Sequence, residues 1–266
     1  MITGKLIHEL NALLKPELQE SYDNTGEQIV FRDTPVTGVL IAIDADISLI
    51  DEAKTAGANL IVTHHPLFFK VLKRIDPSDA KSAFVVSCIE NKISLYAAHT
   101  NLDRLLRHKL CEELGFKPTD TLIKDVKSES DGLGFGSLAF IPEPITMKEL
   151  LATVVKNLKV AFCLYTGSLD KQIKRIAFLN GSGGGSVEKI VNWHKPDCII
   201  TGDVNHHNAR YAIERNVGVI DAGHYPTERV FLDCLADSVA KCLTDEQDIP
   251  IIISKQDQNP FKVFTA

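Results

Sequence analysis

Four of the nine histidines of this chain lie in three short motifs, two of which also contain a carboxylate. His64 and His65 are adjacent in the first motif, THHP, and the third, HYPTE, occupies residues 224–228. In the second motif, HTNLD, His99 is followed four residues later by Asp103. Imidazole nitrogen and carboxylate oxygen are suitable ligands for zinc, iron, manganese or nickel. The three motifs therefore predict a site for divalent transition metals.

The predicted metal ligands are five side chains: His64, His65, Asp103, His224 and Glu228. A single catalytic zinc usually takes three protein ligands, so five ligands fit two metal ions roughly 3.5–4 Å apart better than one ion. We therefore predict two divalent transition metal ions per chain, whose identity these ligand types do not fix. His8, His108 and His194 lie outside the motifs and are predicted to be structural or surface residues.

Two features of the motifs leave alternatives open. Adjacent side chains on an extended chain point in opposite directions, so His64 and His65 reach one ion only if the backbone turns sharply. Pro66 excludes helical backbone at His65, which is compatible with such a turn or with a separate metal for each histidine. HTNLD and HYPTE are also typical of helix starts, with Thr100 or Thr227 as the cap and an acidic residue in the first turn.

Apolar runs that alternate with helical patterns indicate the elements that position these motifs. The predicted strands are 39–43, 59–63, 93–98, 175–180, 197–201 and 217–221. The predicted helices between them are 47–56, 79–91, 186–194 and 208–215. This order repeats a β-α-β-α-β unit and predicts parallel strands with right-handed crossovers.

The second half of the chain resembles the first. When Thr63 is aligned with Thr201, the run THH falls opposite TGD, and HTNLD resembles HYPTE in composition and in its place after a strand. We predict two related α/β lobes, residues 1–127 and 128–266, with mixed or mostly parallel sheets. The segment 117–145 between them, which is rich in charge, glycine and proline, is predicted to hold a loop and one strand, GSLAFI.

The remaining patterns predict helices at 3–14 and 228–242 and a strand in the IPIIIS tail. Each histidine motif follows the carboxyl end of a predicted strand, where ligands bind in open parallel sheets. We therefore expect the metal site in the crevice between the lobes.

Two polar or glycine-rich segments admit two interpretations each. GSGGGS, residues 181–186, precedes a predicted helix and could bind an anion there or permit close packing. It matches neither GxxxxGK[ST] nor a complete GxGxxG motif. SYDNTGEQI, residues 21–29, could lean over a pocket or merely connect the first helix to the first strand.

Composition limits the class of protein. The 266 residues are 44% hydrophobic and 24% charged, which is ordinary for a globular protein. A net charge of −6 gives no electrostatic reason to expect nucleic acid as the main partner, although a local basic patch stays open. No apolar run is long enough to span a membrane and MITGKLIHEL lacks a signal-peptide core, so we expect a cytoplasmic protein. The six cysteines form no CxxC pair and are predicted to be reduced.

The motifs SYDNTGEQI, THHPLFF, YAAHTNLD, GSGGGS, TGDVNHHNARYA and DAGHYPTE occur in the order typical of one family. Over roughly residues 6–235 the chain resembles the NIF-three-like family, also known as GTP cyclohydrolase I type 2 homologues. The resemblance implies two α/β lobes, a dinuclear metal centre between them and a toroidal homohexamer. Two departures are Tyr22, where the family usually has Trp, and Glu27, where it has a hydrophobic residue.

Motif by motif, the resemblance places the family's metal ligands on the five predicted side chains. It gives His99 and His207 roles beside the metals or in contact with the substrate. Because an imidazole can accept or donate a proton near pH 7, His99 or His207 is the candidate proton carrier. We therefore predict a metal-dependent hydrolase, similar to a GTP cyclohydrolase, in which metal-activated water attacks a nucleotide or phosphoester. The alternative is a non-catalytic, metal-bearing ring scaffold or regulatory protein that binds a protein or nucleic acid.

Overall fold

The strands and helices form α/β structure with two sheets, as predicted. The computed structural model describes residues 1–125, 132–244 and 248–264. The helices are α1 Thr3–Leu14, α2 Ser48–Ala56, α3 Ala80–Glu90, α4 Thr100–Leu105, α5 Lys109–Glu113, α6 Met147–Asn157, α7 Val187–His194, α8 His206–Glu214, α9 His224–Glu228 and α10 Leu232–Cys242. The strands are β1 Gly26–Ile29, β2 Val39–Ala42, β3 Leu60–Thr63, β4 Ser94–Ala97, β5 Pro118–Lys124, β6 Gly134–Thr146, β7 Leu164–Tyr165, β8 Gln172–Phe178, β9 Cys198–Thr201, β10 Gly218–Asp221 and β11 Ile251–Ile253.

The chain forms two compact units. Unit 1 comprises Met1–Leu102 and Phe231–Gln258, and unit 2 is built mainly from Asp103–Val230. The C-terminal segment belongs to unit 1 because β11 pairs in parallel with β2. The predicted lobes, by contrast, are consecutive along the chain. Their boundary, between residues 127 and 128, lies outside the described residues and stays a prediction.

The sheet of unit 1 has the strand order β1-β4-β3-β2-β11. Only β1 is antiparallel to its neighbour, and the other pairs are parallel. Strands β2, β3 and β4 are buried on both faces, as their continuous apolar sequences predict. The sequence GEQI of β1 lacks an apolar run, which explains why this edge strand was not predicted.

Helices cover both faces of this sheet. Leu40, Ile61 and Leu95 pack in one hydrophobic cluster with residues of α2 and α3. The alternate strand positions are equally buried and face α1 and α10, where the Tyr96 hydroxyl donates a hydrogen bond to Asn11 Oδ1 at 3.0 Å. Helix α2 ends as predicted at Gly57, which adopts the left-handed conformation with φ of 67°.

The sheet of unit 2 has the strand order β5-β6-β8-β9-β10-β7. Its β8, β9 and β10 run parallel, like β2, β3 and β4 of unit 1, so the predicted repetition of design is confirmed. The predicted strand GSLAFI lies within β6, but the prediction of a single strand in 117–145 is wrong, because β5 precedes and pairs with β6. β5 was not predicted because its sequence, PTDTLIK, is largely polar and several of its residues are exposed.

Helix α6 packs on one face of the second sheet, and α7 and α8 pack on the other. Helix α6 was missed by the sequence patterns, although Thr146 and Glu149 form a reciprocal capping box at its start. Helix α8 begins two residues earlier than predicted, because the Asn205 side chain accepts a hydrogen bond from the Asn208 backbone N–H at 2.9 Å. His207 therefore lies in the first turn of α8.

The predicted helix at 228–242 is divided into α9, one turn of 3-10 helix at 229–231, and α10. Within the three described ranges, we find no helix that is both long and apolar enough to cross a bilayer.

Candidate metal centre

The adjacent histidines follow β3 directly. The His64 and His65 backbone N–H groups donate to the carbonyls of Ala42 and Ile43, at 3.1 and 2.8 Å, so the chain stays attached to the end of β2. The backbone bends at these two residues, and their ring centroids are 5.2 Å apart. The sharp turn, one of the two alternatives left open by the sequence, is present.

His99, which follows β4, completes a cluster of three imidazoles in unit 1. Its ring centroid lies 5.3 Å from that of His64 and 5.5 Å from that of His65. One ligand nitrogen from each ring lies within 4.8 Å of those from the other two. This cluster (His64, His65 and His99) brings together two predicted ligands and one predicted proton carrier.

Hydrogen bonds at Nδ1 fix the orientation of the first two rings. His64 is fully buried, and its Nδ1 donates to the carbonyl of Ala98 at 2.8 Å. His65 Nδ1 lies 2.8 Å from Asp44 Oδ1. Because carbonyl and carboxylate oxygens only accept, the proton is on Nδ1 and the lone pair of each neutral ring is on Nε2. Most metal-binding histidines are held in this way.

Asp23 performs the same function for His99. Its Oδ1 lies 2.8 Å from His99 Nδ1, and its Oδ2 accepts hydrogen bonds from the backbone N–H and the hydroxyl of Thr100. Burial raises the pKa of Asp23, but the hydrogen bonds from His99 and Thr100 outweigh this effect and lower the pKa to about 2. An ionised Asp23 therefore keeps the His99 proton on Nδ1.

In unit 2, three predicted ligands lie around the turn that follows β8. Asn180 Nδ2 donates to Asp103 Oδ1 at 2.7 Å. His224 Nε2 is 3.0 Å from Glu228 Oε2, one helical turn away along α9. A Cβ atom on Gly181 would lie 1.9 Å from Glu228 Oε1, so only glycine permits this approach.

Two carboxylates create a strongly negative environment at His224. Its Nδ1 is 2.7 Å from Asp203 Oδ2. The hydrogen bond to Glu228 has the largest effect on the His224 pKa and raises it. Burial lowers this pKa, but the charge of Glu228 and the contact with Asp203 also raise it, and the net result is a pKa of about 9. The arrangement thus favours a positive charge, which a divalent cation would also supply. The donor types and the bonds at Nδ1 fit the predicted metals.

The capping interpretation fails for HYPTE. Helix α9 begins at His224, and Thr227 lies inside it, with Oγ1 2.9 Å from the carbonyl of Gly223. Thr227 also accepts from the Gly181 N–H at 2.9 Å, which fixes the turn near Glu228. In HTNLD, Asp103 does lie in the first turn of α4, so both roles remain compatible with its position.

Contacts of the glycine-rich turn favour its packing interpretation. A Cβ on Gly183 would lie 2.2 Å from Thr201 Oγ1, and one on Gly184 would lie 2.1 Å from the carbonyl oxygen of Asp203. The turn is therefore pressed against the end of β9, and glycine is needed for that contact.

The remaining predicted site residue, His207, is exposed, and its ring centroid lies 5.6 Å from that of His206. It is not part of the three-histidine cluster.

The sequence motifs did not indicate Asp23, Asp44 and Asp203, whose carboxylates contact histidine Nδ1 atoms. Asp44 and Asp203 each stand two residues beyond a strand, so the strand-end criterion that found the histidines could have found them.

The family model for Duf34/NIF3 (NGG1p interacting factor 3) matches residues 1–260. This chain belongs to the Duf34/NIF3 family. The Duf34/NIF3 chain is 32% identical over 249 residues to a GTP cyclohydrolase 1 type 2 homolog of Clostridium acetobutylicum, with 92% of each protein covered. It is 27% identical to the NIF3 homolog of Schizosaccharomyces pombe, covering 97% of both. The crystal structure of Staphylococcus aureus protein SA1388 matches with a TM-score of 0.88 and 26% identity, covering 99% of both chains.

We predict that Gly181→Ala lowers the metal content of the protein. The new Cβ would displace Glu228, and alanine in the left-handed conformation costs about 1–2 kcal/mol of stability. The control is Gly185→Ala, because Gly185 is exposed and a Cβ there meets no atom within 4 Å. Elemental analysis of both folded variants provides the test. Equal metal content in the two variants would contradict the assigned position of Glu228.

We also predict that Asp44→Ala weakens zinc binding by about 10- to 100-fold, the usual effect of removing a carboxylate that holds a metal-binding histidine. The control is Asp33→Ala, which removes an exposed carboxylate elsewhere in unit 1. Competition with a chromophoric zinc chelator measures both affinities. If Asp44→Ala and Asp33→Ala bind zinc equally well, His65 does not depend on Asp44 for ligation.

Proposed function

We propose that this Duf34/NIF3 protein is a metal-dependent hydrolase that acts on a nucleotide or phosphoester. Two divalent transition metal ions per chain would be held by the five predicted ligands: His64, His65, Asp103, His224 and Glu228. The observation that carries the proposal is the hydrogen bonding of His64 and His65 through Nδ1, which leaves Nε2 of each ring as the ligand atom.

The ligand types of the two units support a dinuclear centre more than two separate sites. Unit 1 supplies the imidazoles of the histidine cluster, and unit 2 supplies His224 with two carboxylates. Carboxylates are the groups that bridge paired metal ions, and their negative charge offsets that of the ions. The proposal therefore assigns both groups to one centre. When bound, the ions would supply Lewis acidity that activates water and stabilises developing negative charge.

His99 is proposed as the proton carrier. Asp23 holds the proton at Nδ1, so Nε2 is the atom that accepts a proton from water or returns one to a leaving group. His207, exposed at the start of α8, is the second proposed proton carrier. The contact of His99 with both predicted ligand rings supports the first assignment more directly.

The names of the relatives guide the choice of substrate. Related proteins from Clostridium acetobutylicum and other bacteria are called GTP cyclohydrolase 1 type 2 homologs. That name corresponds to hydrolytic opening of a guanine ring. GTP is therefore the first compound to test, followed by other nucleotides. The homohexameric toroid and the cytoplasmic location remain part of the proposal.

We expect metal-loaded protein to hydrolyse at least one compound among GTP, other nucleoside triphosphates, cyclic dinucleotides and short single-stranded DNA. Glu228→Gln protein is the blank, because it retains the shape of the side chain but not its charge. His8→Ala is the matched control for histidine loss, since His8 is exposed on α1. Wild-type and His8→Ala protein should give equal rates, well above that of Glu228→Gln. Equal rates in all three for every compound would reject the hydrolase and favour the scaffold alternative.

Loss of a positioned proton carrier typically lowers kcat by about 10²- to 10⁴-fold. His99→Ala should show a loss of this size while the protein retains its metal ions. A parallel loss of metal would instead identify His99 as a ligand.

A further inference from the structure

Two aromatic side chains lie beside the histidine cluster without being part of it. Tyr22 belongs to the SYDNTGEQI segment, and Phe69 belongs to the loop after THHP. Their ring centroids are 6.3 Å apart and their planes are inclined at 75°. Tyr22 is 64% exposed and Phe69 is 46% exposed, so much of each ring faces solvent.

Phe69 also contacts the proposed proton carrier. Its ring centroid lies 5.9 Å from that of His99, with the planes at 88°. Edge-to-face contacts of this kind are a favoured arrangement of aromatic rings. Because Phe69 contacts His99, we expect a substrate that reacts at the histidine cluster to lie close to Phe69.

Hydrogen bonds hold the two aromatic segments together. Asn24 Nδ2 donates to the carbonyl of Phe68 at 3.1 Å, and Gln28 Oε1 accepts from the Phe68 N–H at 3.1 Å. Asp23, next to Tyr22, is bound to His99. Phe68 packs against the core of unit 1. The backbone on both sides of the pair is thus fixed before any ligand binds, which reduces the entropy lost on binding.

We propose that Tyr22 and Phe69 form a stacking site for the planar heteroaromatic ring of the substrate, which for a nucleotide is its base. Every base has a π-face on which an aromatic side chain can stack. The pair should therefore favour compounds that contain a base without discriminating between different bases. This inference rests on the proposed function, because it assumes that the substrate reacts at the histidine cluster. It assigns a purpose to SYDNTGEQI beyond that of a connection.

The test compares GMP with ribose 5-phosphate, which lacks only the base, by calorimetric titration of zinc-loaded protein. GMP should bind more tightly than ribose 5-phosphate. Tyr22→Ala should weaken GMP binding by about 5- to 150-fold and leave the affinity for ribose 5-phosphate and the zinc content unchanged. Tyr22→Trp protein should still bind GMP more tightly than ribose 5-phosphate. Tyr165→Ala is the matched control, since Tyr165 is an exposed tyrosine on β7 of unit 2.

The inference is overturned if GMP and ribose 5-phosphate bind equally, if neither binds, or if Tyr22→Ala and Tyr165→Ala bind GMP alike. Its failure is distinguishable from failure of the proposed function. Metal-dependent hydrolysis with no preference for compounds that contain a base would reject the stacking site and retain the hydrolase. GMP binding that depends on Tyr22, without turnover of any compound, would retain the stacking site and reject the hydrolase.

Discussion

The hydrogen bond from each histidine Nδ1 to a fixed oxygen is the interaction on which the proposed centre depends. A neutral imidazole has one lone pair, and in His64 and His65 the partner of Nδ1 decides that it is on Nε2. The partners are provided by the ends of strands: Ala98 follows β4, Asp44 follows β2, and Asp203 follows β9. The parallel order of β2, β3 and β4 brings the two partners in unit 1 to one edge of the sheet, as required for the rings to converge.

Repetition of the fold with changed residues explains the difference between the two ligand groups. When Thr63 and Thr201 are aligned, His65 falls on Asp203. In unit 1 the ring of His65 contacts that of His99, whereas in unit 2 Asp203 binds Nδ1 of His224. The same backbone position therefore supplies one predicted ligand in unit 1 and the oxygen that orients another predicted ligand in unit 2. The surrounding backbone bonds are equivalent, since the Thr63 and Thr201 carbonyls accept from Ala98 and Ala222.

The strongly apolar strands could be predicted from the sequence, but the edge strands β1 and β5 and the capped helix α6 could not. Val39–Ala42 and Leu60–Thr63 are buried on both faces, so their side chains leave a continuous apolar signal. β1 and β5 lie at sheet edges and are polar on their exposed side, which removes that signal. The motifs were sufficient to predict candidate ligands. Asp23 was not, because its contact with His99 joins segments 76 residues apart in the chain.

Metal stoichiometry tests the proposed dinuclear centre most directly. Protein purified without chelator, or reconstituted with zinc, iron, manganese or nickel, should contain close to two ions per chain by elemental analysis. His65→Ala and Asp103→Asn should contain fewer ions, whereas the exposed control His8→Ala should match the wild type. If Asp103 only complements its helix, Asp103→Asn should lower stability by about 0.3–1 kcal/mol and leave the metal content unchanged. Failure of the wild-type protein to take up any of these metals, or unchanged content in both ligand variants, would contradict the proposed dinuclear centre.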